Sequence, residues 1–193
     1  MSGLVGIYPQ PQLAVHGVNS LMIYLADEPS PVVLAVQQQL LSVLQQAFPD
    51  ALVELVPSYV SLFVWFDPLQ LEHDTIEVLV RQNWAACMQK ARQPALVSNR
   101  VELPCYYSAE SGADLLPLAQ QKGMRVSELI QLHSSNLYQV YAIGFAPGFA
   151  YLGFVSPALA TPRHSVPRTL VPAGSVALAD RQTAVYPTAS PGG

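Results

Sequence analysis

Residues 144–153 read Gly144-Phe145-Ala146-Pro147-Gly148-Phe149-Ala150-Tyr151-Leu152-Gly153. Glycines, a proline and aromatics crowded this closely describe a tightly folded loop. Glycine permits positive φ or close backbone approach, and Pro147 fixes a turn. Such a loop can aim its backbone N–H groups at an anion, or it can plug one end of a barrel with its rings; the residues alone leave both open. The stretch also divides the chain. From Gly144 onward proline and glycine recur too densely for helix, so short strands and ordered loops in a small barrel or sandwich are expected.

Just downstream, Thr161–Pro162–Arg163–His164–Ser165–Val166–Pro167–Arg168 sets two cations in a proline-stiffened segment. A guanidinium is a rigid, bidentate grip for carboxylate or phosphate, so Arg163 and Arg168 are candidates for an acid-binding pocket, with ordinary surface arginines as the alternative. Val171–Pro172–Ala173–Gly174–Ser175–Val176 and Gln182–Thr183 read as a hairpin region in which Gln182 is a ligand-contact candidate.

Upstream, the strand Leu137–Ile143 is preceded by short helices near 114–121 and 126–134. His133 ends the second. It can cap terminal carbonyls against the helix dipole, or act as a general base of suitable ordinary pKa. Asp114 is expected to cap the first helix, and Tyr106 and Tyr107 either line a pocket or pack.

The N-terminal half has a different character. Leu13–His16 and Ser20–Leu25 read as strands around a turn at Gly17–Asn19. Ser30 suits an N-cap and Pro31 the first helical position, and Val33, Val36, Leu40, Leu44 and Phe48 then give an amphipathic helix over 31–48. Residues 51–56 and 59–66 read as strands around Pro57–Ser58. Asp74 and Glu77 have capping-box spacing before a second helix striped by Ile76, Val80, Trp84, Cys87 and Ala91. This order predicts an α+β domain with helices on one face of an antiparallel sheet. Residues 95–103 read as a further strand, and a domain boundary is expected at 90–95.

Composition limits the function. The net charge of −4 over 193 residues argues against nucleic acid as a partner, since phosphate binding needs a basic surface. Residues 1–80 carry eight acids and no Lys or Arg, an acidic surface that either steers a basic partner or simply keeps the protein soluble. Cys87 and Cys105 are too few for a disulfide scaffold. The histidines at 16, 73, 133 and 164 lack ligand spacing, so no metal is expected. No phosphate loop, HExxH or nucleophile elbow is present. The start, MSGLVGIYPQPQ, lacks a basic n-region, and no apolar run reaches membrane-spanning length, so the cytoplasm is the expected compartment.

Taken together, Leu132–His133–Ser134–Ser135, the 144–153 stretch, Thr161–Pro162–Arg163, Pro167–Arg168, Val171–Val176, Arg181–Gln182–Thr183, Tyr186–Pro187 and Ser190–Pro191–Gly192–Gly193 resemble, in order and spacing, the family of 5-oxoprolinase B-type subunits. The same family carries the names allophanate hydrolase subunit 1 and histidine-kinase inhibitor protein. The likeness covers about residues 100–193 and is looser upstream. His164 replaces an arginine frequent in the family, and Phe154 a glycine.

The resemblance implies an α+β N-terminal domain (1–92) followed by a cyclophilin-like β-barrel C-terminal domain (93–193). Relatives continue beyond the position of Gly193, so that barrel is expected to be truncated or completed differently. The implied activity is that of a subunit of an ATP-dependent 5-oxoprolinase converting 5-oxo-L-proline to L-glutamate, with a C-type and an A-type subunit as partners. ATP is used by the assembled complex, and no cofactor is bound by this chain alone. The alternatives are a non-catalytic inhibitor of a sensor histidine kinase and a carboxyltransferase-like component of urea or allophanate metabolism. The motif positions supply the substrate-binding candidates His133, Phe145, Pro147, Gly148, Phe149, Tyr151, Arg163, Arg168 and Gln182, with no catalytic residue assigned.

Overall fold

The computed structural model describes residues 6–92 and 100–192, in two compact units, Met1–Asn99 and Arg100–Gly193. Both are built of helices and antiparallel strands.

In the first unit the strands β1 (Ile7–Val15), β2 (Ser20–Ala26), β3 (Leu52–Ser58) and β4 (Ser61–Phe66) run in the order β1-β2-β4-β3, all antiparallel. Gly17, at φ +74°, makes the first hairpin turn, a conformation open to glycine without steric cost. Helices α1 (Pro31–Ala47) and α2 (His73–Ala91) pack on each other and on this sheet. The start of α1 is set as its sequence predicts: Ser30 is extended, its Oγ accepts from the Val33 N–H at 3.2 Å, and Pro31 opens the helix. Strand alternation sends Leu21, Ile23, Leu25, Leu62, Val64 and Phe66 to the helix side. There they meet Val33, Val36, Leu40 and Leu44 from α1 and Ile76, Val80, Trp84 and Cys87 from α2, all buried. The Trp84 indole N–H is satisfied by the Pro9 carbonyl at 3.1 Å.

Two local expectations are corrected. The β3–β4 turn is not at Pro57–Ser58. Pro57 lies within β3 opposite Leu62, and Ser58 pairs with Ser61, so Tyr59 (φ +37°) and Val60 reverse the chain. Asp74 and Glu77 form no capping box, because α2 begins at His73 and places Asp74 inside its first turn. Asp74 there favours the helix dipole, and Glu77 pairs instead with Arg81 at 2.7 Å.

The boundary expected at 90–95 and the strand expected at 95–103 lie largely outside the described residues. Arg92 closes α2, and residues 100–103 carry no strand.

In the second unit, α3 (Leu115–Gln121) and α4 (Val126–Ser134) precede β5 (Gln139–Ile143), β6 (Ala150–Gly153), β7 (Arg168–Val171), β8 (Val176–Ala179), β9 (Gln182–Val185) and β10 (Ser190–Gly192). Within the unit the order β5-β6-β9-β8 is antiparallel, and β7 pairs with β10 as a separate ribbon. A small core of Ala119, Leu129, Val155 and Leu159 joins the helices to the strand layer. The expected barrel is not closed: β8 does not pair back onto β5. The strands are three to five residues long, and each has a proline or glycine within it or within two residues of one end, which limits their extension. No helix of the described residues is long and apolar enough to cross a membrane.

Candidate functional site

The glycine-rich stretch leaves β5, reverses over 144–149 and returns as β6. Phe145 (φ +69°) and Gly148 (φ +82°) both take left-handed backbone, a rare and costly state for a phenylalanine. Three of the loop's N–H groups are spent within it. Gly144 donates to the Phe149 carbonyl at 3.2 Å, Ala146 to Gly144 at 2.8 Å and Phe149 to Ala146 at 2.9 Å. The rings of the loop form an aromatic wall. Phe149 is buried, with ring centroids 4.9 Å from Tyr151, 5.2 Å from Phe145 and 5.3 Å from Tyr186, all edge-on. Such pairs contribute about 0.5–1.5 kcal/mol each beyond area burial. Phe145 is 63% exposed at the tip, beside exposed Pro147 and Gly148.

Register decides which other candidates join this wall. Gly153 faces Gln182 and Leu152 faces Thr183. Alternation then puts Tyr151, Gln182, Ala184 and Tyr186 on one face, and Leu152 and Thr183 on the other.

His133 belongs to that other face. It is buried at 7% exposure, and it does not cap α4. Its Nε2 lies 3.0 Å from Thr183 Oγ1, whose own hydroxyl donates to the Ala177 carbonyl at 3.0 Å. Thr183 therefore accepts from His133, which makes the ring a neutral Nε2–H tautomer whose Nδ1 accepts from the Tyr107 hydroxyl at 2.5 Å. Burial pushes the His133 pKa down and the Tyr107 pKa well up, and both shifts favour these protonation states. The Tyr138 hydroxyl donates to the His133 carbonyl at 2.7 Å. The chain Tyr107–His133–Thr183–Ala177 thus ties the 104–111 segment, α4, β9 and β8 together.

Arg168 opens β7 and is held by Asp114 through two 2.6 Å bonds, Nη1 to Oδ2 and Nη2 to Oδ1. His164 Nε2 stands 3.2 Å from the same Oδ2. Asp114 makes no side-chain cap on α3, because its carboxylate is turned to the guanidinium. That pairing lowers the Asp114 pKa and raises that of Arg168. Arg168 is thus paired with an internal acid, while Arg163 is exposed and outside this pair.

The ribbon links these groups. Gly192 pairs with Arg168 across β10–β7, and a Cβ on Gly192 would fall 3.1 Å from Tyr186 Cζ. The strand can approach the Tyr186 ring only because residue 192 is glycine. Phe145, Phe149, Tyr151 and Gln182 therefore share a face that reaches the Arg168 ion pair through Tyr186 and Gly192, whereas His133 lies behind the strands. Tyr107, Thr183 and Tyr186 are not among the substrate-binding candidates that the sequence supplies. Thr183 and Tyr186 stand within the quoted motifs, and Tyr107, expected to line a pocket or to pack, is bonded to His133. A cavity of about 470 Å³ lined by Met124, Glu128, Gln131, Leu132 and Ser135 includes none of the aromatic-wall residues. Among the described residues no group of three or more His, Cys, Asp or Glu is placed to hold a metal.

Residues 11–193 match the model of the family described as carboxyltransferase domain, subdomain C and D. The chain is 33% identical to the B-type subunit of 5-oxoprolinase from Bacillus subtilis, over 94% of this chain and 79% of that protein. It is 38% identical to the protein of the same name from Escherichia coli O157:H7, over 91% and 79%. Among solved structures it resembles TTHA0988 at TM-score 0.75 and 34% identity, covering 90% of this chain and 33% of that one; the chain spans about a third of that protein's length. The Kluyveromyces lactis urea amidolyase aligns at TM-score 0.63 and 12% identity, over 98% of this chain and 13% of that one, a likeness of fold.

Proposed function

Because the chain belongs to the carboxyltransferase subdomain C and D family, and its curated relatives are named as B-type subunits of 5-oxoprolinase, we propose that it is the B-type subunit of an ATP-dependent 5-oxoprolinase. That enzyme opens 5-oxo-L-proline to L-glutamate. The 33–38% identity to three relatives of that name, over 86–94% of this chain, carries the reading.

In this reading residues 1–92 and 93–193 act as two domains in a cytoplasmic complex with C-type and A-type subunits. The assembled complex uses ATP, and this chain alone binds no cofactor. Phosphoryl transfer to the lactam oxygen activates the carbonyl. Water then adds at that carbon and the ring C–N bond breaks, the nitrogen leaving as the amine; a second water hydrolyses the resulting acyl phosphate to the glutamate side-chain carboxylate and free phosphate. The chain's own contribution is binding and orientation. Phe145, Phe149 and Tyr151 wall the ring, with Pro147 and Gly148 setting the turn that presents it, and Gln182 offers an amide on the same face. Arg163 meets the substrate carboxylate. Arg168 shapes the site through Asp114, and His133 braces the strands from behind.

The test is glutamate release from 5-oxoproline and ATP by the purified chain, alone and with its C-type and A-type partners. Turnover is expected only from the mixture. Equal turnover by the single chain, or none by the full mixture, overturns the proposal.

A further inference from the structure

Residues 1–80 hold eight acids and no Lys or Arg, and the reading above gives that charge no use. The first base of the chain, Arg81, is taken by Glu77 at 2.7 Å. One of the remaining acids, Glu54, stands beside an exposed indole.

A bulge puts it there. Leu52 pairs with Phe66 and Glu54 with Trp65, so the register slips by one residue at Val53. Without that extra residue Glu54, two positions from Leu52, would share its core-facing side; the bulge turns it over. Phe66 is buried under the helices, and alternation sends its neighbour Trp65 to the opposite face of the sheet. Residues directly opposite in an antiparallel pair share a face, so Glu54 and Trp65 stand side by side there. Both are exposed, Trp65 by 40%. Among the described residues Glu54 forms no ion pair, and Trp65 has neither a hydrogen bond nor a ring contact. Glu54 also borders a cavity of about 310 Å³ between the end of α1 and the start of β3, with Phe48, Pro49, Leu52 and Leu55 in its lining. The last turn of α1 carries no basic residue, so the negative end of the helix dipole adds to the charge of Glu54.

We propose that this face of unit 1 is a docking site for a protein segment carrying an arginine. The guanidinium stacks on Trp65 and pairs with Glu54, and an apolar neighbour in the segment enters the cavity. The inference does not depend on the enzymatic reading. An indole face attracts a cation through its quadrupole, and a carboxylate beside it supplies the acceptors for charge-assisted hydrogen bonds. Arginine fits better than lysine, because a planar fork can stack and pair at once. The acid excess of residues 1–80 draws a basic segment in from a distance and turns an acidic one away.

The experiment titrates the full chain with a fluorescent peptide that carries Leu-Arg between glycines, and with the same peptide bearing lysine or neutral citrulline in place of arginine. Melting temperatures are taken on every variant. Wild type is expected to saturate with Kd below about 1 mM. The citrulline peptide should bind about tenfold more weakly, with the lysine peptide between the two. Glu54→Gln and Trp65→Leu should each weaken the arginine peptide about fivefold, whereas Trp65→Phe keeps an aromatic face and most of the affinity. Raising the salt to about 0.5 M should weaken wild type more than Glu54→Gln. Equal binding of the arginine and citrulline peptides would overturn the proposal. So would full affinity in Glu54→Gln, an exposed change that leaves the core untouched, or no saturation of wild type below about 10 mM. Dimerisation of wild type that Trp65→Leu abolishes would assign the face to a second copy of this chain and overturn the basic segment.

Discussion

The two units of this chain are held together by different physics. Unit 1 rests on one continuous cluster of sixteen buried residues, from Leu21 to Cys87, drawn mainly from two long helices and the two central strands β2 and β4. The corresponding cluster in unit 2 has four buried residues. What unit 2 lacks in core it supplies through directed polar ties, the Tyr107–His133–Thr183 chain and the Asp114–Arg168 pair, and through interlocking rings on the 144–149 loop. Apolar burial is additive and tolerant of sequence, whereas a buried polar chain fixes position and is costly to leave half made. Unit 2 is the unit that carries the candidate site, and its bonding suits residues that must be held in place.

The largest test of this contrast is Trp84→Ala. Trp84 is almost fully buried between α2 and the sheet, and truncating it should cost about 3–5 kcal/mol in urea unfolding. A loss below about 1 kcal/mol would show that unit 1 is not governed by its core.

Next in size is His133→Leu, which leaves the Tyr107 hydroxyl without its acceptor and should cost about 1–3 kcal/mol. The same residue gives a pH signature. Burial depresses its pKa in the folded state, so below the ordinary value near 6.5 the unfolded chain binds the proton more readily. Its contribution is complete above that value and is lost as pH falls through the depressed folded one. The wild-type melting temperature should therefore drop between about pH 7 and about pH 5 more steeply than that of His133→Gln. Parallel curves would remove His133 from the account of unit 2.

The smallest effects on stability concern the arginines. Asp114 and Arg168 are nearly half exposed, so Arg168→Ala should cost no more than about 1 kcal/mol, and less in high salt. Arg163→Ala should change stability by under about 0.5 kcal/mol yet lower the activity of the assembled complex about tenfold. An Arg168 variant that melts like wild type while an Arg163 variant melts early would exchange the two roles.

Local chemistry settled much of this molecule in advance. Ser30–Pro31 and the Val33–Val36–Leu40–Leu44 stripe determine α1, because capping and helical periodicity act within one or two turns of chain. The Ile76–Val80–Trp84–Cys87 stripe does the same for α2. The proline and glycine density after Gly144 excluded helix beyond a single short turn at Pro157–Leu159, and the closing motifs held most of the site residues. Only the tertiary structure decided what those residues do. His133 and Arg168 read alike as polar groups in motifs, yet one is buried behind the strands and the other bound to Asp114, fifty-four positions away. That partnership depends on where α3 and β7 pack. The face shared by Tyr151, Gln182 and Tyr186 depends on the β6–β9 register, which a shift of one residue would invert. Tyr107 is tied to His133, behind the strands, across twenty-six positions. Sequence spacing reports the neighbours along the chain, and long-range pairing sets the rest.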